Sequence, residues 1–180
     1  IVKQGLKVFK SKNNLGLKTL SDLCKIETNP NIYHLGYVLG PRINAGGRVG
    51  KSSHGANLLI NSNPKEVFKI ASELDYFNKE RKLLEEDALQ KISKKVLEQL
   101  SDPVLVLSGE NWHEGVIGIV ASRIKDKFNK PVIIISVENN VGKASARSIV
   151  GFDIGSIIIA AVQLNILIKG GGHKMAGGFS

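Results

Sequence analysis

Apolar residues at Val67, Ile70, Leu74, Phe77, Leu84, Ala88, Ile92 and Val96 recur every three to four positions, and no Gly or Pro interrupts them before Leu100. That spacing keeps one stripe of an α-helix apolar. Asn63-Pro64 supplies a start signal, with Asn as N-cap and Pro at the first helical position. At 1.5 Å per residue the helix would run about 55 Å, longer than one small domain. Its middle, Asn78-Lys79-Glu80-Arg81-Lys82, is highly charged. The pattern predicts a connecting helix whose ends pack on different bodies, the other reading being two helices broken near residue 80.

The pattern differs on either side of this helix. Residues 2–9 and 17–26 each show helical spacing and are split by the polar Ser11-Lys12-Asn13-Asn14, which predicts two short amphipathic helices. Cys24 lies on the apolar stripe of the second with Leu17, Leu20 and Leu23, the setting of a buried thiol. After Asp102-Pro103 the apolar runs shorten. Residues 104–107 and 132–135 read as buried strands, 143–148 as a polar strand, 114–128 as a helix, and 154–167 as an apolar helix capped by Asp153. Strands separated by one helix favour a parallel pair with a right-handed crossover. Ligands then gather at the carboxyl ends of the strands, here residues 109–113 and the loop near Ser136. The expected fold is α/β: a small helical N-terminal segment (1–62), a long connecting helix (63–101), then a mixed α/β sheet domain (102–180).

Charge adds a direction to this outline. The net charge is +9, and residues 1–62 carry nine Lys/Arg against two acids, while 63–101 carry eight against eight and 102–180 eight against six. A localised basic excess fits a polyanionic partner, most often nucleic acid, the plain reading being a soluble lysine-rich surface. With 42% hydrophobic residues the chain can bury a real core. It has no apolar run long enough for a membrane helix and no secretory signal pattern, so a cytoplasmic location without membrane contact is expected. A single cysteine allows no disulfide within the chain. Opening on Ile1-Val2-Lys3-Gln4 without an initiator Met, the sequence reads as a piece of something longer.

Three stretches carry candidate chemistry. Gly170-Gly171-Gly172-His173-Lys174-Met175-Ala176-Gly177-Gly178 sets a His and a Lys among five glycines, so the main chain can turn N–H groups toward an anion that no side chain obstructs. Residues 39–52 contain Arg42 and Arg48 in a Gly- and Pro-rich context that reads as irregular backbone and a second anion site. Ala45 through Ser52 also approaches a Walker A loop, but no buried strand precedes it and no apolar strand ends in Asp to hold magnesium. His113 opens the helix over 114–128, where unpaired N–H groups favour an anion. Arg147 suits a bidentate phosphate contact. Trp112 is expected in the core, and a Ser145, His173, Asp153 triad would lack a nucleophile elbow.

Residues 112–123, Ser145-Ala146-Arg147-Ser148 and Gly171 through Phe179 together resemble the DHH-associated substrate-binding domain of the RecJ family of single-strand-specific DNA exonucleases. Gly40-Pro41-Arg42-Ile43-Asn44-Ala45-Gly46-Gly47-Arg48 is similar to the stretch that closes that family's preceding DHH phosphoesterase domain. The resemblance implies a two-lobed enzyme whose first lobe binds two Mn2+ or Mg2+ ions and which trims single-stranded DNA from the 5′ end. It implies that Ser145, Arg147, Gly171, Gly172 and His173 grip phosphates, that Arg42 and Arg48 face the cleft, and that His113 lies beside it. The family's Asp-His-His motif is absent, and His34, His54, His113 and His173 are scattered without an acidic cluster. No catalytic or metal-binding residue is therefore expected here; the metal would belong to the missing lobe, and binding of single-stranded DNA would be the activity left. A relative acting on oligonucleotides or cyclic dinucleotides, and a P-loop nucleotide binder, are the other readings.

Overall fold

The computed structural model describes residues 1–11, 14–27 and 29–180, so Lys12 and Asn13 of the expected polar turn lie outside the described residues. Two compact units emerge, Ile1–Lys82 and Leu83–Ser180. Every regular element of the first unit is helical among the described residues: α1 (Val2–Lys10), α2 (Leu15–Leu23), a π-helical stretch His34–Leu39 that runs into α3 (Gly40–Val49), α4 (His54–Ile60) and the first part of α5 (Pro64–Glu98). Helix α2 starts two residues before the expected position because the Asn14 side chain caps it, accepting from Leu17 N–H at 2.9 Å. Leu20, Leu39, Leu58, Val67, Ala71 and Leu74 form the core. Cys24 is half-buried beside it, and burial pushes its thiol up.

Helix α3 corrects the expectation of irregular backbone over residues 39–52. Pro41 sits in the first turn, where its missing N–H is harmless. Ala45 and Gly46 face inward, and a Cβ on Gly46 would stand 3.1 Å from the Leu74 side chain. Packing of the helix face outweighs the low propensity of its glycines. The same geometry removes the Walker A reading, because residues 45–49 are the end of a helix and no strand precedes them among the described residues.

Helix α5 is continuous over Pro64–Glu98, with Asn63 Oδ1 accepting from Lys65 and Glu66 N–H, so the alternative of two helices broken near residue 80 is not what forms. Its later residues Ala88, Ile92 and Val96 belong to the second unit's core. There β1 (Leu105–Glu110), α6 (Glu114–Phe128) and β2 (Val132–Glu138) form the expected parallel pair, followed by β3 (Val141–Arg147), α7 (Ile154–Gln163), β4 (Gly170–His173) and β5 (Ala176–Phe179). The sheet order is β1-β2-β3-β5-β4, antiparallel after the first pair. Asn139 and Asn140, both at positive φ, make the tight turn from β2 to β3. Helix α7 ends four residues before the expected position, with Asn165 at φ 57 turning the chain back toward β4.

Alternation divides the sheet faces. Leu105, Leu107, Val132 and Ile134 pack under α6 and the end of α5, with Trp112 buried among them as expected. Ala146 packs on the opposite face against Ile154 and Ile158 of α7. Each such fully buried aliphatic side chain contributes on the order of 2 kcal/mol. At the β1 edge, Gln99 donates to Val106 C=O and accepts from Val106 N–H, both at 2.9 Å, as a neighbouring strand would.

Candidate functional site

The glycine run, expected to turn its N–H groups toward an anion, forms a hairpin. β4 and β5 pair Gly171 with Gly178 and Gly172 with Gly177, and Lys174-Met175 make the turn. Glycine supplies no side-chain period, so only tertiary pairing reveals the strands. Register continues across β3, where Ser145 faces Gly178 and Arg147 faces Ala176. Directly opposed residues share a sheet face. Two rows therefore cross three strands: Ser145, Gly178, Gly171, and Arg147, Ala176, His173. This is the face that carries α6, since a Cβ on Gly118 of that helix would meet Ser145 Oγ at 3.0 Å and an Arg147 guanidinium nitrogen at 2.9 Å.

Beyond the cover of α6 the face is open. A groove of about 610 Å³ is lined by Glu114, Ile117, Lys143, Ala144, Ser145, Lys169, Gly170, Gly171, Gly178, Phe179 and Ser180. A Cβ on Gly171 would meet nothing within 4 Å, so its backbone is open to a ligand. Gly172 and Gly177 serve the other face: a Cβ would come within 2.5 Å of Ala176 C=O from Gly172, and within 2.5 Å of Ile158 from Gly177. Gly172 thus lets the hairpin close, while Gly171 borders the groove.

Arg147 is held from two sides. Its Nε donates to Ser122 Oγ of α6 at 3.1 Å, and its Nη1 donates to Ser145 Oγ at 3.0 Å and to Ala146 C=O at 2.8 Å. The guanidinium is half-buried and oriented before any ligand arrives. His173 ends β4, where its Nδ1 accepts from Met175 N–H at 3.3 Å. His113 caps α6, its Nδ1 accepting from Gly115 N–H at 3.1 Å, and it is the residue before the groove-lining Glu114. Helix α7 is capped as expected, Asp153 accepting from Ser156 N–H at 3.1 Å; that bond holds the Asp153 carboxyl below the usual range.

Arg42 and Arg48 belong to the first unit. Arg42 Nε bonds Asp75 at 2.8 Å and Nη1 donates to Val38 C=O at 2.7 Å. Burial alone would raise Asp75, but hydrogen bonds from Lys79 and Arg42 outweigh it and hold the carboxyl below the ordinary range. Arg48 is exposed in the last turn of α3. Among the described residues no three His, Cys, Asp or Glu side chains gather as metal ligands, and no helix is long and apolar enough to cross a membrane.

Sequence reasoning missed Lys143, Lys169 and Glu114 as groove residues. One signal was available: Lys143, Ser145 and Arg147 alternate along a polar strand and so share a face. Lys169 and Glu114 carry no such signal, being brought in by the hairpin and the crossover helix.

Comparison with known proteins bears on the whole chain. Residues 101–180 match the DHHA1 domain model. The single-stranded-DNA-specific exonuclease RecJ of Bacillus subtilis is 33% identical over 98% of this chain and 23% of its own length. RecJ of Escherichia coli is 38% identical over 81% of this chain and 27% of its own. The crystal structure of RecJ in complex with Mn2+ from Thermus thermophilus superposes with a TM-score of 0.83 at 30% identity, covering 99% of this chain and 26% of that one. This chain spans about a quarter of the length of these relatives. The short-oligonucleotide, cyclic-dinucleotide and P-loop alternatives are not favoured, since the curated relatives carry the single-stranded-DNA exonuclease name.

Proposed function

The chain belongs to the RecJ family, with residues 101–180 as its DHHA1 domain, and on that premise we propose that it supplies the nucleic-acid-binding part of a single-stranded-DNA exonuclease acting from the 5′ end. One observation carries the proposal: the row Ser145, Gly178, Gly171 floors an open groove flanked by Lys143 and Lys169. Lysines there attract phosphate, and side-chain-free backbone lets a sugar-phosphate chain approach closely. Arg147, fixed by Ser122 and Ser145, holds the Ser145 hydroxyl in the same row. His173 and His113 border this surface, and Arg42 and Arg48 are the cationic candidates of the first unit.

The relatives' structures are complexes with Mn2+ or Mg2+. The donor set for such ions does not fit this chain, because no three ligating side chains converge among the described residues. The ions would neutralise the phosphate under attack and activate water. This chain's own residues bind and orient the strand. We further place the protein in the cytoplasm, in DNA repair and recombination.

The test is binding of a fluorescent oligothymidylate by the 180-residue chain across a salt series. Affinity should fall with log salt with a slope of about −0.7 for each phosphate held. Gly171→Ala should weaken binding roughly two- to tenfold by removing one close contact while leaving stability unchanged. With Mn2+, a 5′-labelled strand should remain uncut. Salt-independent affinity, or robust cleavage by this chain, would sink the reading.

A further inference from the structure

The groove that would take phosphate also presents a carboxylate. Glu114 lines it together with Lys143, and the two side chains form an ion pair with about half of each exposed, 47% and 52%. Among the groove-lining residues Lys143 and Lys169 are the cations and Glu114 the acid. A site built only to hold anions gains nothing from this residue. We propose that Glu114 is a specificity-determining residue of the groove: by occupying Lys143 it denies the site to a lone phosphate and admits a strand of linked phosphates. The inference rests on the groove being the strand-binding surface.

The physical reason is exchange. A single phosphate reaching Lys143 must replace a carboxylate already there, so one half-exposed anion–cation contact is traded for another with little net gain. A strand can seat its phosphates at Lys169 and the open backbone of Gly171 while Glu114 keeps Lys143, the linkage making each contact after the first intramolecular, so its affinity depends less on Lys143 than a lone phosphate's does. The carboxylate stays in place because Glu114 is the first residue of α6, where the helix dipole favours negative charge. The hydrogen bond and charge of Glu114 in turn raise Lys143. Glu114 is not required to start the helix, since His113 caps it through Gly115 N–H. Glu114→Gln therefore leaves the fold intact and removes only the competing charge.

The experiment measures affinity for inorganic phosphate and for oligothymidylate on the 180-residue chain. Glu114→Gln should raise phosphate affinity roughly two- to fivefold, the range of an exposed ion pair. Strand affinity should rise proportionately less, so the preference for strand over phosphate shrinks, and the strand's salt slope should steepen by about 0.7 as Lys143 begins to release counterions. Glu114→Asp should restore the wild-type preference. In a Lys143→Gln background Glu114→Gln should change nothing, since the two act as a pair. Glu110→Gln, a carboxylate outside the groove lining, controls for net charge and should leave the preference unchanged. Unchanged phosphate affinity in Glu114→Gln, equal gains for phosphate and strand, or the same effect from Glu110→Gln would overturn the inference. Loss of strand binding in the wild type would overturn the functional reading itself, a result the phosphate measurements distinguish.

Discussion

Residues 40–50 and 170–179 are almost equally rich in glycine, with four and five, yet the first stretch is a core-packed helix and the second an exposed hairpin. In α3 the small residues Ala45 and Gly46 make room for protein, and Arg42 is committed to Asp75 and the Val38 carbonyl. In β4, Gly171 leaves room where an added Cβ would meet nothing within 4 Å, beside the lysines that line the groove. The first unit holds most of the chain's basic excess, but the groove lies in the second, where charge is nearly balanced. Counting charges points to the first unit; exposed backbone next to a few cations points to the groove proposed above.

Substitutions can break this contrast. The largest effect is expected at the hairpin's inner row: Gly172→Val pushes a side chain into the Ala176 carbonyl and should lower the second unit's stability by about 2–4 kcal/mol in urea denaturation. Next comes Arg147→Ala, which removes the guanidinium bonds to the Ser122 and Ser145 hydroxyls and the Ala146 carbonyl and should cost about 1–3 kcal/mol while weakening strand binding. Arg147→Lys should rescue neither, because an ammonium cannot hold both hydroxyls in a planar fork.

The first unit's commitment of Arg42 is read by pH. Because Asp75 is held below its ordinary value of 3.8, its contribution is fully present above that value and is lost as pH falls through the lower, folded value. Asp75→Asn should remove about 1 kcal/mol at neutral pH and flatten the acid limb of the first unit's stability below about pH 4. Smallest is Gly47→Ala: nothing lies within 4 Å of the added Cβ on that exposed helical face, so stability should rise by about 0.5–1 kcal/mol. A loss there would show that α3's glycines are needed for more than packing.

What the sequence made legible follows from these contacts. Helix α6 was readable to both ends, since its apolar face repeats every turn and His113 and Asn129 mark its limits. The parallel pair β1 and β2 followed from two buried runs around one helix. Helix α3 and the hairpin were misread for one shared reason: glycine reports backbone freedom without saying whether packing or pairing will use it. Ser145, Arg147 and Gly171 were singled out and do fall on one face, but the anchoring of Arg147 by Ser122 joins positions 25 apart and leaves no trace in local pattern. Lys143 needed only its two-residue step from Ser145 to be noticed, whereas Lys169 needed the β5 register.

The Gln99 side chain, matched to both backbone groups of Val106, has a consequence for how these molecules behave when crowded. An uncapped outer strand is a template for recruiting a neighbour's backbone, and here Val106, near the start of the β1 edge, is already matched. The remaining border is β4, whose three glycines are poor strand formers with no side chains to interlock with an incoming chain. Sheet-to-sheet pairing is thus hindered at one end and poorly rewarded at the other, so the groove face can lie open without the sheet's borders becoming sticky toward their own kind.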